Sequence, residues 1–279
     1  MGQRVALIGV GKMGRALLAR LLAANHQVKA YDIAREPMAT ARAMGAVTVT
    51  CSAEAASDAA YLHVLVHSDQ EVLDATMGPD GVLEGAGAGA TLLLHSTILP
   101  ETTERVALAA AGAGVAVLDA PVTSVPHRLQ AGEATFLVGG PKDAVDAIRP
   151  HLEFLGKAVC HFGPLGSGNI AKIAKNLTNA VERVMWAETV QIVEAAGLDV
   201  RQFLDMAKAV NTGARVSQWD KVIRVEDGHA GPQRASGLFS KDIQHAVRLA
   251  TAYGLDLPIT RGAADTAAKW IKGWAEEAG

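Results

Sequence analysis

The apolar positions of the first half switch repeatedly between two periods. Residues 5–9 form a short unbroken apolar run ending in glycine, the mark of a strand buried on both faces. Residues 13–24 (MGRALLARLLAA) carry Leu and Ala at helical spacing, and residues 27–32 read as a second strand. The pattern continues with a helix over 38–44, a short strand near Val47 and a strand over 61–66. Residues 92–95 predict a strand and 100–111 a helix, and strands over 115–119 and 135–138 close the series. Strands alternating with helices predict parallel pairing through crossover helices, hence an α/β fold with a doubly wound sheet.

The character changes at Gly163-Pro164-Leu165-Gly166. Beyond it the strand signal fades, and residues 169–196 keep a helical pattern well beyond the usual span of about 8–20 residues. Three or more helices follow, the last over 263–278. A boundary near residue 164 divides the chain into 1–164, where strands and helices alternate, and 165–279, which reads as helical.

Composition narrows the function classes. Hydrophobic residues at 49% and charged residues at 20% suit a globular enzyme. A net charge of -3 offers no basic field for nucleic acid or an anionic membrane surface. No apolar run approaches the roughly 18 residues that a membrane span needs, and no secretory leader pattern is visible. Cys51 and Cys160 belong to no CxxC pair, so buried free thiols in a reducing, cytoplasmic setting are expected.

Gly9-Val10-Gly11-Lys12-Met13-Gly14 follows the first strand and opens the first helix. The three glycines serve a tight turn, close approach to a pyrophosphate and close helix–strand packing, and the helix N-terminus favours the phosphate charge. A lone GxGxxG is weak evidence. This one stands in strand–turn–helix context with Asp32 about 20 residues on, where a carboxylate accepts from ribose hydroxyls and repels a 2′-phosphate. NAD is therefore expected, with NADP second. Arg35 could meet such a phosphate, but a solvated surface charge is the simpler reading.

With these residues in view, the chain resembles the 3-hydroxyisobutyrate dehydrogenase (β-hydroxyacid dehydrogenase) family. The Gly9–Gly14 loop, Asp119-Ala120-Pro121-Val122-Thr123, Gly166-Ser167-Gly168 with Lys172 and Asn176, and Lys241-Asp242 match its motifs in order; His95-Ser96-Thr97 with Pro100 resembles its ST-x-x-P stretch. The resemblance implies a Rossmann-type N-terminal domain, a long linking helix and an all-helical C-terminal domain that oligomerises as a dimer or tetramer. It implies reversible hydride transfer at a hydroxyl one carbon beyond the α-carbon of a small carboxylic acid. The cofactor-binding residues it implies are Gly9, Gly11, Lys12, Met13, Gly14, Asp32, Leu65, Val66, Thr97 and Lys241.

Lys172 and Asn176 are spaced i, i+4 and share a helix face. As hydride leaves, a base must take the hydroxyl proton, and a lysine does so when burial or nearby positive charge favours its neutral form. Asn176 can hold both that lysine and the substrate hydroxyl. Most lysines on amphipathic helices are simply solvated; the surrounding motif is what favours catalysis here. Lys175 stands where the family often has a second asparagine, and solvation is its expected fate.

The substrate loop departs from its relatives. Their Ser-Gly-Gly binds the substrate carboxylate, whereas this chain reads Thr123-Ser124-Val125. Thr123 keeps a hydroxyl, but losing both glycines restricts the backbone. Arg128 can grip an anionic group bidentately or face solvent, and His127 beside it is equally open. His63 and His67 flank a strand-like run and match no metal motif, so no metal is expected. Trp186, Trp219, Trp270 and Trp274 read as core or subunit-contact residues. Two other functions compete: an imine reductase of the same architecture, against which Lys172 argues, and a non-catalytic NAD(H)-binding protein, against which Lys172, Asn176 and Lys241 together argue.

Overall fold

Arg4–Ile8 forms β1, and its residues alternate between two apolar layers: Val5 and Leu7 join one buried cluster, Ala6 and Ile8 the other. A computed structural model of the chain describes residues 2–210, 223–226, 229–232 and 237–277. They divide into two units, Met1–Lys172 and Ile173–Gly279. In the first unit β1 leads into α1 (Lys12–Ala23), β2 (Gln27–Tyr31), α2 (Arg35–Met44), β3 (Val47–Thr48) and α3 (Ser52–Ala56). Next come β4 (Tyr61–Val64), α4 (Asp69–Met77), α5 (Val82–Gly85), β5 (Thr91–Leu94), α6 (Pro100–Ala110) and β6 (Ala116–Asp119). β7 (Val122–Thr123), α7 (Pro126–Gln130), β8 (Thr135–Gly139), α8 (Lys142–Leu155) and β9 (Ala158–Gly163) complete it.

The sheet order is β3-β2-β1-β4-β5-β6-β8-β7, with β9 beside β8. The run from β3 to β6 is parallel throughout. Strand order reverses between β1 and β4, the switch point at which doubly wound sheets bind their ligands. Helices cover both faces because both faces are apolar. Leu17, Leu18 and Leu21 of α1 and Val145, Ile148, Leu152 and Leu155 of α8 join the cluster of Leu7, Leu93, Leu118 and Phe136. Val72 of α4 and Val106 of α6 join that of Ile8, Leu62, Val64 and Leu94. Ser68 caps α4 by accepting from Glu71 N at 3.2 Å.

Several readings of the sequence need adjustment. β8 runs antiparallel to β6 and β7, and it does not end the sheet, since β9 follows and pairs with it in parallel. The thiols are free but not buried: Cys160 is exposed and Cys51 half-buried, where its sulfur accepts from Glu54 N at the head of α3.

The second unit continues α9 (Ser167–Ala195), adds α10 (Val200–Ala209), and closes with α11 (Gly237–Ala252) and α12 (Pro258–Glu277). Among the described residues its only strands are an antiparallel hairpin, β10 (Ile223–Glu226) with β11 (His229–Pro232). Alanines 180, 263, 264 and 267 let α9, α11 and α12 approach closely around Val184 and Ile243. Lys241 lies inside α11, one turn past the helix start. Trp186 is buried, whereas Trp219 and the side chains of Trp270 and Trp274 lie outside the described residues.

Candidate active site

The loop between β1 and α1 has the shape its glycines require. Gly9 takes φ +91°, and a Cβ there would meet Leu65 O at 2.2 Å. A Cβ on Gly14 would meet Gly9 O at 2.1 Å, while the space beside Gly11 is open. No side chain caps α1, so its first-turn N–H groups are left to a ligand. Asp32, just past β2, accepts from Val10 N at 2.7 Å and Ala34 N at 2.9 Å. Leu65 and Val66 follow β4, and Val66 is tied on both backbone groups to the Ser96 hydroxyl. Thr97, half-buried, stands between β5 and α6; Met13 packs on the first core cluster and Lys12 is exposed. This open glycine cradle, with a fixed carboxylate on the neighbouring strand, fits the pyrophosphate and ribose of a dinucleotide.

The lysine is set by a carboxylate that motif reading did not assign a role. Asp119 ends β6, fully buried, and accepts from Gly166 N at 2.7 Å and Asn169 N at 2.8 Å. It thereby caps α9 from another element, joining the sheet to the helix that carries Lys172. Burial pushes its carboxyl above the ordinary range, against the opposing pull of those N–H groups. Asn169 adds a bond from Nδ2 to Thr103 Oγ1 at 2.7 Å. One turn on, Lys172 is 8% exposed, and its Nζ donates to Val122 O at 2.7 Å. The ammonium thus sits one residue from Thr123, at the head of the predicted substrate loop.

The loop itself is polar and partly open. Ser124 Oγ donates to Val125 O at 3.2 Å, and Val125 is 45% exposed. Arg128 is engaged elsewhere in this structure: its Nε pairs with Glu133 Oε2 at 2.9 Å on an exposed surface. In the second unit Asn176 Nδ2 donates to Asp242 Oδ2 at 2.8 Å. Since a carboxylate only accepts, this bond fixes which way the amide points. Lys175 is exposed, with Nζ 3.4 Å from Asn176 Oδ1. Arg35 is also exposed.

Sequence reasoning missed a buried cluster of His63, His95 and His151. Burial, then the neighbouring imidazoles, holds His63 well below the ordinary histidine range. Burial pushes His95 down to about 4; burial and the nearby imidazoles push His151 down to about 3. The rings connect in a line and do not converge on a point, and among the described residues no group of three His, Cys, Asp or Glu is arranged to hold a metal. Among the described residues no helix is long and apolar enough to cross a membrane.

Comparison with known proteins accords with this geometry. The family described as the NAD binding domain of 6-phosphogluconate dehydrogenase matches residues 4–163. The one described as NAD-binding of NADP-dependent 3-hydroxyisobutyrate dehydrogenase matches residues 166–277. A 3-hydroxyisobutyrate dehydrogenase of Pseudomonas aeruginosa is 30% identical over 91% of this chain and 88% of its own length. An NAD-dependent L-serine dehydrogenase of the same organism is 30% identical over 76% and 71%. The solved 3-hydroxyisobutyrate dehydrogenase of Mycobacterium tuberculosis with L-serine superposes with a TM-score of 0.81 at 25% identity, covering 98% of this chain and 94% of that one.

Proposed function

Because this chain belongs to the 3-hydroxyisobutyrate dehydrogenase family of NAD(P)-dependent hydroxyacid dehydrogenases, we propose that it moves hydride between NAD and a small 3-hydroxy acid, with Lys172 as general acid/base. The observation that carries this reading is the buried Lys172 Nζ on Val122 O, beside Thr123. When bound, the nicotinamide supplies a hydride acceptor for oxidation or a donor for reduction. In oxidation the neutral Lys172 amine takes the proton from the substrate hydroxyl, and in reduction the ammonium returns it. The Val122 carbonyl aims Nζ, and Asn176, steadied by Asp242, orients the hydroxyl. Thr123, Ser124 and the Val125 backbone bind the carboxylate, aided by Arg128 when it leaves Glu133.

In this reading Gly9, Gly11, Lys12, Met13 and Gly14 hold the pyrophosphate and Asp32 the ribose. Leu65, Val66 and Thr97 line the nicotinamide side, and Lys241 contributes to cofactor binding. Residues 1–164 act as the NAD-binding domain and 165–279 as the substrate and oligomer domain of a cytoplasmic homodimer or homotetramer. Exposed Met185, Ile192 and Met206 on α9 and α10 support such an assembly.

The direct test is NADH formation over a panel of 3-hydroxyisobutyrate, L-serine, aldonates and a sulfonated 3-hydroxy acid, beside matched 2-hydroxy acids and cyclic imines. Turnover of at least one 3-hydroxy acid well above its 2-hydroxy isomer is expected. Reduction of imines with no turnover of any hydroxy acid would overturn the reading.

A further inference from the structure

His63, His95 and His151 are at most 8% exposed and lie within the apolar layer that covers one face of the sheet. They form an unbranched chain. His151 Nε2 is 3.0 Å from His63 Nε2, His63 Nδ1 is 2.8 Å from His95 Nε2, and His95 Nδ1 is 2.8 Å from Ala120 O. The last contact decides the others. A carbonyl oxygen only accepts, so His95 carries its proton on Nδ1 and leaves Nε2 bare. His63 must then donate from Nδ1 and accept at Nε2, which requires His151 to donate from Nε2. The chain has one direction and three neutral rings, and burial favours those neutral forms.

The chain ends on the segment that supports the lysine. Three successive carbonyls there are each occupied: Ala120 O accepts from His95, Pro121 O from Leu137 N at 3.1 Å, and Val122 O from Lys172 Nζ at 2.7 Å. Ala120 N donates back to Leu94 O at 2.8 Å, so His95 and the residue before it grip both polar groups of Ala120. A leucine at position 95 would fill the apolar layer equally well and would leave Ala120 O buried without this donor. We propose that His95 is a positioning residue for Lys172: its Nδ1–H, kept in that tautomer by His63 and His151, fixes Ala120 and so places the Val122 carbonyl on which Nζ rests. This rests on the reading of Lys172 as the acid/base.

The test compares His95→Leu with His95→Asn, whose Nδ2–H falls where Nδ1–H stood. The substrate is the panel acid that the unmodified enzyme turns over fastest. His95→Leu should lower kcat by about tenfold or more, the scale of loss for a reacting group displaced by a fraction of an ångström to an ångström. His95→Asn should retain most of kcat, and both should bind NADH as the unmodified enzyme does. Nitrogen-15 NMR of the unmodified protein should show His95 protonated on Nδ1 and bare on Nε2, and His151→Phe should disturb that tautomer. Normal kcat in His95→Leu, loss in His95→Asn equal to that in His95→Leu, or a proton on Nε2 would each overturn the proposal. The spectrum and His151→Phe keep it testable should His95→Leu fail to fold. Lys172→Ala run alongside separates the failures. A dead Lys172→Ala with a normal His95→Leu rejects the positioning role alone, whereas an active Lys172→Ala overturns both readings.

Discussion

Asp32 illustrates how much a single side chain can be asked to do. Its two oxygens already accept from Val10 N and Ala34 N, so the carboxylate is fixed before any ribose arrives, with lone pairs to spare. NAD should accordingly support a higher kcat/KM than NADP. Asp32→Ser should weaken NAD by an interaction worth about 1.5–3 kcal/mol, roughly tenfold or more, and narrow the gap to NADP. Clear NADP preference in the unmodified enzyme would contradict this. Asp32 was legible in the sequence because the Rossmann turn fixes its spacing from the glycines. The histidine chain was not legible, because its links join residues 32 and 88 apart through the sheet, a distance no local pattern encodes. Nor was the use of Arg128, whose partner Glu133 lies across a turn and competes with any substrate anion.

Among the elements, α9 matters most, and its anchorage is specific. A Cβ on Gly168 would fall 2.2 Å from Leu137 O and 2.8 Å from Asp119 Oδ2, contacts that force the helix away from β8. Gly168→Ala should therefore cost about 1–3 kcal/mol, as overpacking does, and lower the melting temperature. It should also lower kcat, since Lys172 lies one turn along, while NADH affinity holds because the glycine loop is untouched. Unchanged melting and turnover would show that α9 does not depend on this contact. The length of α9 was plain from its periodicity. The pattern of α8 was also present, with Val145, Ile148, Leu152 and Leu155 on one face, but Pro150 within it breaks the usual helical signature. β9 escaped notice because its residues are half-buried or exposed and show no apolar run. β10 alternates apolar and polar residues but is only four long, and β11 (HAGP) holds Gly and Pro with no alternation, so the hairpin did not stand out.

For the whole molecule, the buried histidines couple stability to pH. Each is held below its unfolded value near 6.5, with His95 near 4 and His151 near 3. As pH falls below about 6.5 the unfolded chain takes up protons that the folded one refuses, so stability is full above that range and declines below it. At pH 5 His95 and His151 each cost about 2 kcal/mol, the separation of that pH from the unfolded value, and His63 acts in the same direction. Asp119, pushed the other way, regains stability as pH falls toward the carboxylate range, but it is one group against three. His26 and Tyr61, whose rings pack on His151, face the same cluster. The melting temperature should thus drop steeply between about pH 7.5 and pH 5, and His151→Phe should flatten that slope. A pH-independent melting temperature would mean that the cluster already carries charge. At this scale the doubly wound sheet and the helical second half were both readable, because alternation of strand and helix, then its cessation, is a property of many residues at once.

Whether Lys172 moves the proton is read from kcat of Lys172→Ala beside an NADH titration of the same protein. Loss of the acid/base contribution, about 10²–10⁴-fold, with NADH affinity little changed, is the expected result. Lys172→Arg should not restore the rate, because a guanidinium stays protonated and cannot accept the proton. Near-normal turnover in Lys172→Ala with intact NADH binding would rule Lys172 out as the acid/base.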